Sequence, residues 1–479
     1  MHIDSPLDSC NRRGFLSGAS AGLAGLVLAR LLGLETPVAA AGSAEAATSG
    51  ATKAKRVIRI FLPGGLSQVD SFDYKPELAR WHGKPMVAGE RPDVFFGQVG
   101  LLHKNFWEFR QRGESGLWIS DLFPHLAGVA DELTVIRSMF AETSNHTPAA
   151  FQAHTGFRLN GFPSMGSWLA YGLGSETDEL PAFVVLPDVR GLPAGGSINW
   201  SNGFLPAEHQ GVTLKTRGPA IHDLTPGRPI SAATETASRR LLEEMNRRHL
   251  EERGQNDDLR ARIRGYELAA KMQLAVPEVA DLDQETQATH SLYGLGEAAT
   301  DDFGRQCLLA RRLLERGVRF VQLFAGGAFP SPRINWDGHE DVVANHGQEA
   351  LRCDRPVAGL LRDLKQRGML EDTLVMFVTE FGRTPFSQSA DGVLGTGRDH
   401  NQNGFSVWLA GAGLKKGYAH GATDDFGYKS VEQPVHWHDL HATVLRLLGI
   451  DHEQLTYYHN GIQRRLTNVH GHVVPELLA

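Results

Sequence analysis

Five consecutive apolar residues, Leu374-Val-Met-Phe-Val378, run straight into Thr379-Glu380-Phe-Gly-Arg383. An unbroken apolar run of this length suits a strand buried on both faces, as in a parallel sheet covered by helices. In such sheets ligands collect at the carboxyl ends of the strands, which is where Glu380 and Arg383 fall. A second strand, Val318 to Phe324, is followed by Asn335-Trp-Asp337-Gly-His339-Glu-Asp341 and by His346. Downstream of the first run, the loop Gly397-Arg-Asp399-His400-Asn401 sets a carboxylate beside an imidazole. Asp, Glu and His at three strand ends make the ligand set of a hard-to-borderline divalent cation.

The rest of the chain repeats the alternation. Arg56 to Leu62 reads as a first strand ended by Pro63-Gly-Gly65, with Ser67, Asp70 and Asp73 in the following loop or helix start. There Asp70 and Asp73 serve either as caps or as site residues. Leu117 to Ile119 and Thr134 to Ile136 are short strands around an expected amphipathic helix, Leu122 to Leu133. Ser144-Asn-His146-Thr-Pro148 enters a helix, so His146 faces a helix N-terminus, where anions are favoured. Capping by Asn145 and His146 is the alternative. Pro181 to Leu186 is another strand, and Gly191 to Gly218 a long loop. Ala232 to Leu274 spaces its apolar residues helically among many Arg and Glu, giving a helix pair broken near Gly254-Gln-Asn-Asp257. Thr300 to Arg316, Gln348 to Arg367 and Trp437 to Leu448 are helices, and Phe405 to Leu409 is a strand. Strands alternating with helices predict a three-layer α/β/α sandwich over residues 55–479, with a helical insertion at about 231–275.

The first residues have a different design. Asn11-Arg12-Arg13-Gly14-Phe15-Leu16 is a twin-arginine pattern, followed by a moderately apolar stretch to Leu34 and the small residues Val38 to Ala41. Residues 1–41 therefore read as a twin-arginine signal peptide and 42–54 as a flexible leader. This predicts recognition by the twin-arginine translocase, export to the periplasm or beyond, and no stable membrane span in the mature protein. The net charge of −7 argues against nucleic-acid binding. With Cys10 in the signal peptide, Cys307 and Cys353 remain, and they pair only if the fold brings them together.

On these residues the chain resembles the alkaline phosphatase and sulfatase superfamily, and within it an uncharacterised, exported, sulfatase-like branch. Leu374 to Gly382 resembles the family's strand ending in an acidic metal motif. Asp337 and His339 resemble its ligand segment, His400 its later histidine, and Asp439 to Ile450 its C-terminal helix. His146 to Arg158 has the shape of the sulfatase nucleophile helix. His146 stands at the nucleophile position and Ala149-Ala150 replace the usual Ser-Arg, so no formylglycine forms there. The acidic residue expected after the first strand falls at Pro63-Gly64, which would leave its metal role to Asp70 or Asp73. Glu380-Phe381 replaces an Asp-His or Asp-Asn pair.

The resemblance implies a metal-dependent hydrolase of a phosphate or sulfate ester. Asp70, Asp337, His339, Glu380, Asp399 and His400 would hold one or two ions of Zn, Mn or Ca. Arg383 would clamp ester oxygens, and His146 would act as nucleophile or general acid/base, with Ser67 in reserve. The alternative on the same scaffold is a non-catalytic protein that binds metal or an acidic glycan.

Overall fold

The computed structural model describes residues 52–86, 92, 94–222, 224, 231–253, 257–328 and 333–479. The expected signal peptide, and the leader as far as residue 51, lie outside these residues.

The central sheet contains strands β1 (Arg56–Phe61), β2 (Leu133–Phe140), β3 (Phe183–Leu186), β4 (Val212–Thr213), β5 (Phe320–Phe324) and β6 (Thr373–Val378). A hairpin follows, of β7 (Gly382–Ser387) and β8 (Arg398–Asn401), and then β9 (Phe405–Ala410), β10 (Tyr418–His420) and β11 (Val435–His436) return to the sheet. The order across the nine-stranded sheet is β10-β2-β9-β6-β1-β5-β3-β4, with β11 also on β2. Only β9 runs antiparallel to its neighbours, β2 and β6. The carboxyl ends of β1, β2, β3, β5 and β6 therefore share one edge.

Helices cover both faces. In β1, Ile58 and Ile60 join a core with residues of α4 (Asp257–Ala280), α5 (Asp301–Glu315) and α6 (Val342–Gln366). Val57 and Phe61 point the other way, into a core with α1 (His146–Thr155), α2 (Met165–Leu173) and α7 (Trp437–Leu447). Burial on both sides explains the uninterrupted apolar run of β6, all of whose residues are buried. The three-layer arrangement expected from the sequence is what forms. The helix pair expected at about 231–275 forms as α3 (Ala232–Arg253) and α4. Among the described residues no helix is long and apolar enough to cross a membrane. Cys307 and Cys353 are buried free thiols.

Some elements differ from expectation: Arg398–Asn401, expected within a loop, forms β8, and the expected loop from Gly191 to Gly218 contains β4. The helix predicted over Leu122 to Leu133 is reduced to Pro124–Ala127 and a single 3-10 turn, Ala130–Glu132. Pro124 opens the short helix and Gly128 closes it. The residues beyond belong to β2, which runs on to Phe140 because it pairs along both sides, with β9 and with β10 and β11.

Candidate metal centre

Turn chemistry first brings the strand ends together. After β1, Gly64 has φ +116°, and a Cβ there would lie 2.5 Å from the backbone nitrogen of Asp337. Glycine is thus required for the Pro63-Gly-Gly65 turn to pass under the Asp337 segment. The Gly64 N–H donates to Glu380 Oε1 at 2.7 Å, which ties the end of β1 to the end of β6. In the β7–β8 hairpin His400 lies opposite Arg383, so their side chains share a face. Asn145 holds the N-cap position of α1 without a side-chain capping bond, and the helix starts at His146, a few residues beyond the end of β2.

Four side chains converge where these segments meet: His146, Asp337, His339 and His400, all buried. Around Asp337 Oδ1 lie His339 Nε2 at 2.7 Å, His146 Nε2 at 3.2 Å and His400 Nε2 at 3.2 Å. The Nε2 atoms of His339 and His400 are 2.9 Å apart. On its far side each ring meets an oxygen acceptor. His146 Nδ1–H donates to Glu380 Oε1 at 2.8 Å, and His400 Nδ1–H to the Ser144 carbonyl at 2.6 Å. His339 Nδ1–H donates to the Gln388 carboxamide oxygen.

Burial pushes all three imidazoles toward the neutral form. His339 is lowered to about 3, first by burial and then by the Arg383 charge. His400 is held well below the ordinary value by burial and Arg383. His146 is lowered by burial, although Glu380 pulls it the other way. A neutral imidazole with its proton on Nδ1 presents a lone pair at Nε2. Three such lone pairs and a carboxylate oxygen facing one another repel unless a cation lies among them. Oxygen acceptors on the far nitrogens are the arrangement that orients metal-ligating histidines. The donor set therefore fits a divalent ion held by three imidazoles and one carboxylate. That set suits Zn or another transition ion and does not suit Ca, which takes oxygen ligands.

The other residues singled out in the sequence have different partners. Glu380 orients His146 and accepts from Gly64 and Thr379, at 2.7 Å and 3.2 Å, standing behind the ring instead of facing the centre. Asp399 spends its oxygens on the backbone N–H groups of Phe96 (3.0 Å) and His400 (2.7 Å). Asp70 is wholly buried and paired with Arg398 at 2.8 Å, and it accepts from Ser67 Oγ at 2.5 Å and the Phe106 N–H at 2.8 Å. Ser67, also buried, donates its N–H to His346 Nε2 at 3.0 Å. As placed here, Ser67 is no exposed nucleophile and Asp70 no ligand of this cluster. Asp73 bonds Thr423 and pairs with Lys75 at 3.3 Å.

Arg383 is fully buried. It donates to the Gly65 carbonyl at 2.9 Å, the Arg398 carbonyl at 3.1 Å, the Gly64 carbonyl and Asp337 Oδ1 at 2.6 Å. With its fork committed to the protein, it fixes Asp337 and cannot clamp a substrate.

Three contributors escaped the sequence reading: Gln388, the Ser144 carbonyl and Arg333, whose Nη1 reaches Asp337 Oδ2. A glutamine and a backbone oxygen carry no spacing signal, and Arg333 follows Pro330-Ser-Pro332 in a sequence without periodicity. The half-exposed rings of Phe95 and Phe96 lie over the mouth, 5.0 Å from His400 and 5.0 Å from His339.

The fold and this centre together define an α/β protein with a histidine-rich candidate cation site at the carboxyl edge of its sheet. The chain belongs to the family described as a protein of unknown function (DUF1501), matched over residues 54–478. No curated protein sequence matches it. Among solved structures it is similar to the lipoteichoic acid synthase LtaP from Listeria monocytogenes, at 11% identity, 87% of this chain, 75% of that one and a TM-score of 0.32. It is similar to the PsFucS1 sulfatase from Pseudoalteromonas sp., at 14% identity over 85% and 70% of the two chains, with a TM-score of 0.34. For alkaline phosphatase from the Antarctic bacterium TAB5 the values are 10% identity, 84% and 99% coverage, and a TM-score of 0.35.

Proposed function

We propose that the protein is a metal-dependent hydrolase of an anionic phosphate or sulfate ester. The observation that carries this is the convergence of three Nε2 lone pairs on Asp337 Oδ1, each ring backed by an oxygen acceptor. A divalent cation held there would supply Lewis acidity toward an ester oxygen and an acidified water. The protein's own contribution is orientation. Glu380, Gln388 and the Ser144 carbonyl fix the three rings, Arg383 fixes the carboxylate, and Phe95 and Phe96 limit water at the mouth.

The test is a screen of zinc- and manganese-loaded protein on aryl phosphates, phosphodiesters and aryl sulfates beside an Asp337→Ala control. Turnover at least about 100-fold above the control is expected, the scale of losing a group that stabilises developing charge. Turnover no higher than the control defeats the reading. The engagement of His146 by Glu380 and of Ser67 by Asp70 favours a second reading, a cation- or glycan-binding protein without turnover. Ligand affinity without hydrolysis in the same screen selects it.

Export through the twin-arginine translocase, to the periplasm or beyond, is part of the proposal, supported by Arg12-Arg13 and the apolar stretch after them. A folded chain crosses by that route, so the ion can be loaded beforehand. Lys-Lys in place of Arg12-Arg13 is expected to leave the full-length precursor in the cytoplasm. Fractionation with immunoblotting reads this, and unchanged export of the variant argues for another route.

A further inference from the structure

Two guanidiniums touch Asp337, and they differ in what they can reach. Arg383 has no exposed side-chain surface and donates to backbone carbonyls, whereas Arg333 is 29% exposed. Arg333 reaches Asp337 Oδ2 through Nη1, while the histidines surround Oδ1. The guanidinium therefore lies one carboxylate away from the candidate cation position. Its remaining face is taken by Glu340 in a two-point contact, Nε to Oε2 at 3.1 Å and Nη2 to Oε1 at 3.0 Å. Glu340 is itself 71% exposed and part of no core.

A planar fork that holds a carboxylate at two points is also the geometry that holds two oxygens of a phosphate or sulfate group. The exposed glutamate thus occupies the docking face of the one guanidinium of this pair that solvent reaches. The glutamate end of this pair stands in solvent, where screening weakens it, so an oxyanion gathered by a neighbouring cation can displace it. We propose that Arg333 is the oxyanion-binding residue of this centre and that Glu340 is its built-in competitor, displaced when a tetrahedral phosphate or sulfate group docks. The proposal rests on the hydrolase reading above and adds which cation takes the anion and what holds that cation until then.

The test is calorimetric titration of inorganic phosphate, and separately of inorganic sulfate, into the zinc-loaded full chain, with bound zinc measured on the same samples. Glu340→Gln is expected to tighten anion binding about threefold, the scale of a released surface pair. Arg333→Gln is expected to weaken it more than tenfold, the scale of a lost charge-assisted contact, and Arg333→Lys to weaken it less. Anion affinity is compared per bound zinc, because Arg333 also touches Asp337 and its replacement can shift metal content. A merely structural Arg333–Glu340 pair would move both variants in the same direction, and that result overturns the proposal. So does anion binding indifferent to all three substitutions in samples that hold zinc, and in that case the metal centre itself still stands. Opposite shifts in samples that hold no zinc would uphold the assignment of Arg333 and bring down the metal reading instead.

Discussion

Alanine at Asp337 or His400 is expected to lower divalent-cation affinity by well over 100-fold, because each removes one of four converging donors. Substituting an outer partner is expected to cost less, about 10- to 100-fold, the usual scale for groups that orient a ligating histidine. Gln388→Leu and Glu380→Gln are such substitutions, since each loosens a ring and leaves its Nε2 in place. Asp399→Asn should leave affinity nearly unchanged, because the carboxylate oxygens of Asp399 accept from backbone N–H groups. Asp70→Asn should also keep full stoichiometry in the fraction that folds. Its cost falls on stability instead, since it strips the charge from a buried pair with Arg398. Elemental analysis and competition titration against a chelator read all of these. Equal losses at Asp337, Asp399 and Asp70 would mean that the cation sits elsewhere.

That contrast marks how far the sequence could be read. Strand ends were legible because β6 and β5 are buried on both faces, which β6 writes as an unbroken apolar run and β5 as one interrupted only by Gln322. Once the strands were placed, Asp337, His339, His400 and His146 fell on the sheet edge that β1, β5 and β6 share. What the sequence withheld was which polar group faces the centre. Asp399 and His400 are adjacent in β8, where the pairing with β7 is irregular, and the Asp399 oxygens accept from the Phe96 and His400 N–H groups while the His400 ring meets Asp337. The sequence carries no local mark of that irregularity, so it does not say which of the two neighbours faces the centre. Asp70 looked like a ligand because it follows β1. Its partner Arg398 is 328 residues away, and no local pattern announces a pair that distant. Arg383 misled for the converse reason. A strand-end arginine reads as a clamp for substrate until its donors are seen to be spent on the carbonyls of Gly64, Gly65 and Arg398.

Acid is expected to destabilise the protein steeply, and two histidines far from any proposed ligand role make this testable. His154 on α1 and His441 on α7 are buried between helix and sheet, at 2% and 0% exposure. Each donates one ring N–H to a backbone carbonyl, His154 to Ala150 at 2.8 Å and His441 to Ala153 at 3.0 Å. Burial, and then the charge of Arg59, hold both well below the ordinary histidine value. Arg59 is itself buried on the same face of β1 and pushed down to about 9. In the unfolded chain both histidines titrate near 6.5. As pH falls through that value the unfolded state takes up protons that the folded state refuses. The stabilisation is thus complete above about pH 7 and is lost progressively on acidification. Each such histidine contributes a slope of about 1.4 kcal/mol per pH unit below 6.5, so the pair reaches roughly 3 kcal/mol per unit, against a total of roughly 5–15 kcal/mol for a typical fold. Urea unfolding at pH 7, 6 and 5 should show a midpoint that falls continuously. His441→Gln, which keeps a donor for the Ala153 carbonyl but cannot titrate, should flatten that fall by close to one proton. A midpoint level from pH 7 to pH 5, or an unaltered slope in the variant, would show that the protein accommodates charge at this buried face.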